Sequence, residues 1–234
     1  MTDKPVMIIT GTRKGIGKHL SEYYAGKNFQ VIGCSRNQID SELDNYKHYC
    51  LDVSDELGVK HLFTEIRNKY GRLDALINNV GITSKNHVLL TSLKEVHDLL
   101  DTNFVGSFLF CRESVKLMKI NKFGRIVNIS SIHIPLASVG TSIYGASKAA
   151  IEQFSKILAK EVFQFGINVN TISLSVVKDT GMGNYINNDT KERIINQTIS
   201  KSQLTIKDII NAINFLISEN SDMITNQILY LGGV

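Results

Sequence analysis

Tyr144 and Lys148 stand four positions apart, and Ser131 precedes the tyrosine by thirteen. A helix of about 3.6 residues per turn puts positions i and i+4 on one face, so phenol and ammonium can reach one small site. A free tyrosine, with a pKa of about 10, is a poor acid–base group at neutral pH. A neighbouring ammonium favours the phenolate and brings that value toward the working range. A serine hydroxyl can donate a hydrogen bond to an oxygen on which negative charge develops. The set suits proton transfer at a carbonyl or an alcohol. Tyr-x-x-x-Lys is also ordinary helix chemistry, so the rest of the chain must decide.

The elements that would position these groups read as alternating strands and helices. Residues 6–10, Val-Met-Ile-Ile-Thr, are an apolar run suited to a strand buried on both faces, and residues 30–34, 47–51, 73–77, 125–129, 167–173 and 227–231 give further strands. Ser131 follows the fifth of these, and the Tyr144 helix runs to about Phe165. Helical patterning also covers the stretch from the first glycine turn to about Lys27, residues 54–70, a long segment after residue 92, and residues 191–199 and 206–217. Ser92-Leu93-Lys94-Glu95 has the form of a capping box. Asn103 falls inside the helical segment it opens, where a polar amide needs solvent or a buried partner. The alternation predicts an α/β fold, a single Rossmann-type doubly wound parallel sheet of about seven strands with helices on both faces, in one domain over residues 1–234.

Between the first strand and its helix lies Gly11-Thr12-Arg13-Lys14-Gly15-Ile16-Gly17. A glycine turn at this place lets backbone approach a pyrophosphate, which the helix N-terminus stabilises. The second strand ends at Ser35-Arg36-Asn37, where an acid would bind a free ribose 2′-hydroxyl and a base accommodates a 2′-phosphate. No acid is present. Arg36, with Arg13 and Lys14 in the facing turn, favours NADP(H) over NAD(H).

Bulk properties narrow the class. The chain has 234 residues, 43% of them hydrophobic and 21% charged, an ordinary globular composition. The formal charge of +4 comes from scattered bases, without the stripe or recognition motif of a nucleic-acid binder. Three distant cysteines, Cys34, Cys50 and Cys111, suit neither a disulfide framework nor a metal site. Neither a leader nor an apolar run of membrane-spanning length is visible, and a cytoplasmic protein is expected.

These residues together resemble the short-chain dehydrogenase/reductase family, and its NADP(H)-preferring members similar to 3-oxoacyl-(acyl-carrier-protein) reductases, over essentially the whole chain. The matching marks are Thr10-Gly11-x-x-x-Gly15-Ile16-Gly17, Asp52, Asn78-Asn79-x-Gly81, Asn103, Ser131 and Tyr144-x-x-x-Lys148. The resemblance implies an enzyme in which Tyr144 is the acid–base residue and Lys148 holds the nicotinamide ribose and depresses the tyrosine's pKa. It implies that Ser131 binds the substrate oxygen and that Asn103 keeps a proton-relaying water. Asp52 and Val53 would meet the adenine, Asn79 and Gly81 would lie along the cofactor, and Val177 and Thr180 would lie near its carboxamide. Lys14 and Arg36 stand where NADP-using members carry bases, and Ser130 is read as satisfying backbone. Pairing through the helices bearing Asn103 and Tyr144, as a homodimer or homotetramer, is implied as well.

Departures from the family pattern accompany the match. Val80 replaces an alanine, Leu174-Ser175 stands for Pro-Gly, residues 176–180 run one residue longer, and Thr225-Asn226-Gln227 stands for Thr-Gly-Gln. The segment expected to cover the substrate, residues 178–202, is polar, with Met182, Tyr185 and Ile186 its main apolar residues. A small or polar carbonyl or alcohol is therefore the expected partner, within reach of His133. A sensor or regulatory protein that binds NADP(H) with little turnover is the alternative.

Overall fold

The computed structural model describes residues 4–39, 41–178, 180 and 188–234. Among them seven strands form one parallel sheet: β1 (Val6–Thr10), β2 (Gln30–Ser35), β3 (Tyr46–Cys50), β4 (Ala75–Asn78), β5 (Gly124–Ser131), β6 (Ile167–Leu174) and β7 (Ile228–Tyr230). Their order across the sheet is β3-β2-β1-β4-β5-β6-β7. The order reverses between β1 and β4, and the crevice at the carboxyl ends of these strands is where such a sheet can receive a ligand.

Side-chain alternation explains the two layers. Val6 and Ile8 of β1 enter one core with Val59, Leu62 and Ile66 of α2 (Glu56–Tyr70) and Phe110 and Leu117 of α4 (Gly106–Asn121). Met7 and Ile9 enter the other, with Leu20 and Tyr24 of α1 (Gly15–Ala25) and Ile209 and Ile213 of the helix Ile206–Ile217. All five β1 side chains are buried, as expected of a strand covered on both faces. Among the described residues no helix is long and apolar enough to cross a membrane.

Several local expectations are corrected. Ser92 does cap α3 (Leu93–Leu100), accepting from the Glu95 amide at 3.2 Å. The Glu95 carboxylate, however, accepts from Asn86 Nδ2 at 2.9 Å, so the reciprocal half of the expected box is taken by a loop amide. A full capping box forms instead at Thr205 and Asp208. The helical segment after Ser92 is not continuous α-helix: Asp101–Val105 is a π-helical turn between α3 and α4. Asn226 takes a positive φ of 61°, a backbone state that asparagine tolerates and glycine adopts freely. Met182, Tyr185 and Ile186 lie outside the described residues.

Candidate active site

The turn after β1 is shaped by what its glycines lack. Gly11 and Gly15 have φ of 77° and 61°. A Cβ on Gly17 would come within 2.2 Å of the Gly11 carbonyl oxygen, so α1 packs against the turn only without a side chain there. One on Gly11 would meet Val80 Cγ2 at 2.9 Å; the space that glycine leaves open accommodates the valine that departs from the family pattern. Thr10 fastens the turn to the end of β4: its hydroxyl accepts from the amides of Asn79 and Val80, each at 3.0 Å. Asn79 Nδ2 returns a 2.9 Å bond to the Thr10 carbonyl.

Beside this turn opens a cleft of about 410 Å³, lined by Gly11, Arg13, Lys14, Gly15, Ile16, Arg36, Asp52, Val53, Asn79, Gly81 and Thr180 among others. Gly17 does not line it and acts from beneath, through packing. One Asp52 carboxylate oxygen accepts from the Ser54 amide and hydroxyl at 3.0 and 2.8 Å, which fixes the side chain.

A smaller cavity of about 100 Å³ adjoins the cleft, sharing Ile16, Asn79, Thr83 and Thr180 with it. Its lining brings together Ser131, His133, Tyr144, Lys148, Ser175 and Val177. Ser131 ends β5, a single turn α5 (His133–Leu136) follows, and Tyr144 and Lys148 lie one turn apart on α6 (Ser142–Val162). The Ser131 hydroxyl faces the Tyr144 phenol and favours its ionised form. It also accepts from the His133 amide at 3.3 Å. The His133 ring stands edge-on to Tyr144 with centroids 5.8 Å apart, and its Nδ1 lies 2.8 Å from Ser138 Oγ.

Burial dominates the electrostatics. Lys148 is 3% exposed, and desolvation of its ammonium brings its pKa down to about 8. Its Nζ donates to the Ile129 carbonyl at 2.9 Å, which ties α6 to β5. Burial raises the Tyr144 pKa, and the Ser131 hydroxyl opposes that rise.

Asn103 is fully buried beside this cluster. Its Oδ1 accepts from the Ile82 amide at 2.8 Å, and its Nδ2 donates to the Ile82 carbonyl at 3.0 Å and to Ser147 Oγ at 2.9 Å. The side chain thus braces the loop after β4 against α6. Ser130 departs from its expected role: it donates to Glu152 Oε1 at 2.8 Å, one side chain satisfying another across 22 positions. The bracing roles of Thr10 and Ser147 had no local signal, because their partners come from distant segments.

Known proteins resemble this chain in sequence and fold. A family model described as short chain dehydrogenase matches residues 5–191. The chain belongs to the short-chain dehydrogenase family. A 3-oxoacyl-(acyl-carrier-protein) reductase of Haemophilus influenzae is 31% identical to this short-chain dehydrogenase family member, across 97% of this chain and 96% of its own. The solved structure of ElxO with NADP bound is similar at a TM-score of 0.88, with 29% identity over 97% of this chain and 96% of that one. A 4-hydroxyisoleucine dehydrogenase complexed with NADH is similar at a TM-score of 0.86 and 29% identity, over 98% and 97% of the two chains.

Proposed function

We propose that this chain is an NADP(H)-dependent oxidoreductase, a single dinucleotide-binding domain that interconverts a small carbonyl compound and its secondary alcohol. The observation that carries the reading is the convergence of Ser131, Tyr144 and Lys148 on one cavity that opens onto the glycine-lined cleft. The cleft's fit to a dinucleotide is supported by the absence of side chains at Gly11 and Gly17, where backbone comes close, and by the positive φ of Gly15 in the cleft lining. At the first turn of α1 no acidic side chain opposes an anion. Arg13, Lys14 and Arg36 line the same cleft and suit a 2′-phosphate. NADP bound to ElxO points the same way.

When bound, the nicotinamide supplies or accepts hydride at the substrate carbon. The chain's own residues handle the oxygen. In reduction Ser131 donates a hydrogen bond to the carbonyl oxygen, and the Tyr144 phenol gives its proton to that oxygen as the carbonyl π pair becomes an oxygen lone pair. The ammonium of Lys148 holds the ribose and stabilises the phenolate that remains; in oxidation each proton movement reverses. Asn103 positions Ser147 and hence the turn carrying Tyr144 and Lys148, while Asp52, Val53, Asn79, Gly81, Val177 and Thr180 shape the cofactor's bed.

The cavity volume of about 100 Å³ favours the small-substrate half of the expectation. Its walls include Ile132, Leu174, Val176 and Ile194, which suit a compact apolar body more than a sugar. Helices α4 and α6 leave Phe108 and Ile157 exposed, apolar surface through which a second copy would pair. A second reading, an NADP(H)-binding sensor with little turnover, draws on Ser175, whose buried hydroxyl has no hydrogen-bond partner among the described residues, where relatives often carry glycine. NADPH oxidation by the wild type and by Tyr144→Phe, over a panel of small ketones, separates the two readings.

A further inference from the structure

Behind the basic end of the cleft lies a chain of polar side chains with no part in proton transfer. His48, on β3, places its Nε2 3.1 Å from the Asn37 carbonyl and 3.0 Å from Ser35 Oγ. Its Nδ1 lies 2.8 Å from the Tyr46 hydroxyl, and that hydroxyl lies 2.7 Å from Thr12 Oγ1. One imidazole therefore reaches both segments that supply the cleft's cations: the turn holding Arg36, and the glycine turn in which Thr12 directly precedes Arg13 and Lys14.

The geometry selects a tautomer. The Asn37 carbonyl only accepts, so Nε2 carries the proton, and a neutral ring must then accept at Nδ1 from Tyr46. Thr12 completes the chain by donating to the phenol oxygen. Burial lowers the His48 pKa, in keeping with a neutral ring. Space for the chain is built into β2: a Cβ at Gly33 would fall 2.2 Å from the Tyr46 hydroxyl and 2.4 Å from Thr12 Oγ1. The Arg36 carbonyl is held independently, accepting from Cys50 Sγ at 3.2 Å.

We infer that His48, through Tyr46 and Thr12, is a positioning residue that sets the two basic arms of the cleft at the spacing a ribose 2′-phosphate requires. It sets cofactor choice without touching the cofactor. The inference rests on the NADP(H) reading above.

The test is fluorescence titration of NADPH and NADH into the wild type, Tyr46→Phe, His48→Leu and His48→Gln, with thermal melting alongside. The wild type is expected to bind NADPH more tightly. Tyr46→Phe and His48→Leu should each lose about tenfold in NADPH affinity, with NADH affinity within about twofold of wild type. His48→Gln, whose amide can still donate to Asn37, should recover most of the loss. Parallel weakening of both cofactors, or unchanged NADPH affinity in a wild type that prefers it, would overturn the inference. A wild type that prefers NADH overturns the cofactor reading itself, and the inference with it.

Discussion

Asn103 Nδ2 donates a 2.9 Å hydrogen bond to the hydroxyl of Ser147, the residue immediately before Lys148. Ser147 in turn donates to the Tyr144 carbonyl at 2.8 Å. A fully buried amide in a π-helical turn is thereby wired to both ends of the Tyr-x-x-x-Lys pair. Asn103→Ala would strip Ile82 and Ser147 of these partners, a loss of about 2–4 kcal/mol for several buried polar groups. Urea denaturation should show that loss, and turnover should fall even at saturating cofactor. Unchanged stability would contradict the bracing role.

The glycine turn makes a sharper prediction because its contacts are backbone contacts. Gly17→Ala puts a methyl 2.2 Å from the Gly11 carbonyl oxygen and 2.6 Å from Asn79 Nδ2, so turn or helix must move. Dinucleotide affinity should fall by at least about tenfold. Gly145→Ala is the contrast: among the described residues nothing outside its own helix backbone lies within 4 Å of its added methyl, and it sits inside α6. That variant should bind cofactor normally and gain about 1 kcal/mol in stability from helix propensity.

Lys148 should leave a signature in the pH dependence of stability. Its folded pKa of about 8 lies below the ordinary 10.5, so between these values the unfolded chain binds more protons and stability rises with pH. The desolvation cost is full below pH 8 and is relieved by about pH 10.5. Lys148→Met removes it, at the loss of the bond to Ile129. The variant should be more stable than wild type at pH 7 by on the order of 1–3 kcal/mol. That gap should narrow as pH rises toward 10, and a constant gap across the range would refute the assignment.

Thiol reactivity should sort the three cysteines. Cys34 and Cys111 are buried, and desolvation pushes each thiol up to about 12. Cys50 is exposed at the end of β3. Alkylation at pH 8 followed by mass spectrometry should label Cys50 within minutes and the other two only after denaturation. Rapid labelling of Cys111 in the native protein would mean that the core between β4 and α4 opens readily.

The sequence made the central strands and the nucleotide turn legible because their constraints are local. Residues 6–10 are apolar without a break, and the packing of Gly17 against Gly11 spans only six positions. The capping box at Ser92 was legible only in half, because the fate of Glu95 depends on Asn86 in a neighbouring loop. The box at Thr205 lacks the usual sequence signal because its reciprocal acid is Asp208 and not the Glu or Gln of the pattern. Asn103 could be marked from the family resemblance, but its partners, 21 and 44 positions away, required the fold. The partner of Ser130 is illegible in the sequence for the same reason: Glu152 meets it only once α6 lies on β5. The Thr12–Tyr46–His48 chain joins segments that no motif connects.

The most direct test of the central claim follows NADPH absorbance at neutral pH with small ketones and oxo acids as acceptors, comparing wild type with Tyr144→Phe. The wild type should turn over, the variant should be slower by about 10²–10⁴-fold, and both should retain NADPH affinity. NADPH bound tightly by both proteins, with no acceptor turned over by either, would contradict the assignment of Tyr144 as the proton donor of an active reductase and favour the sensor.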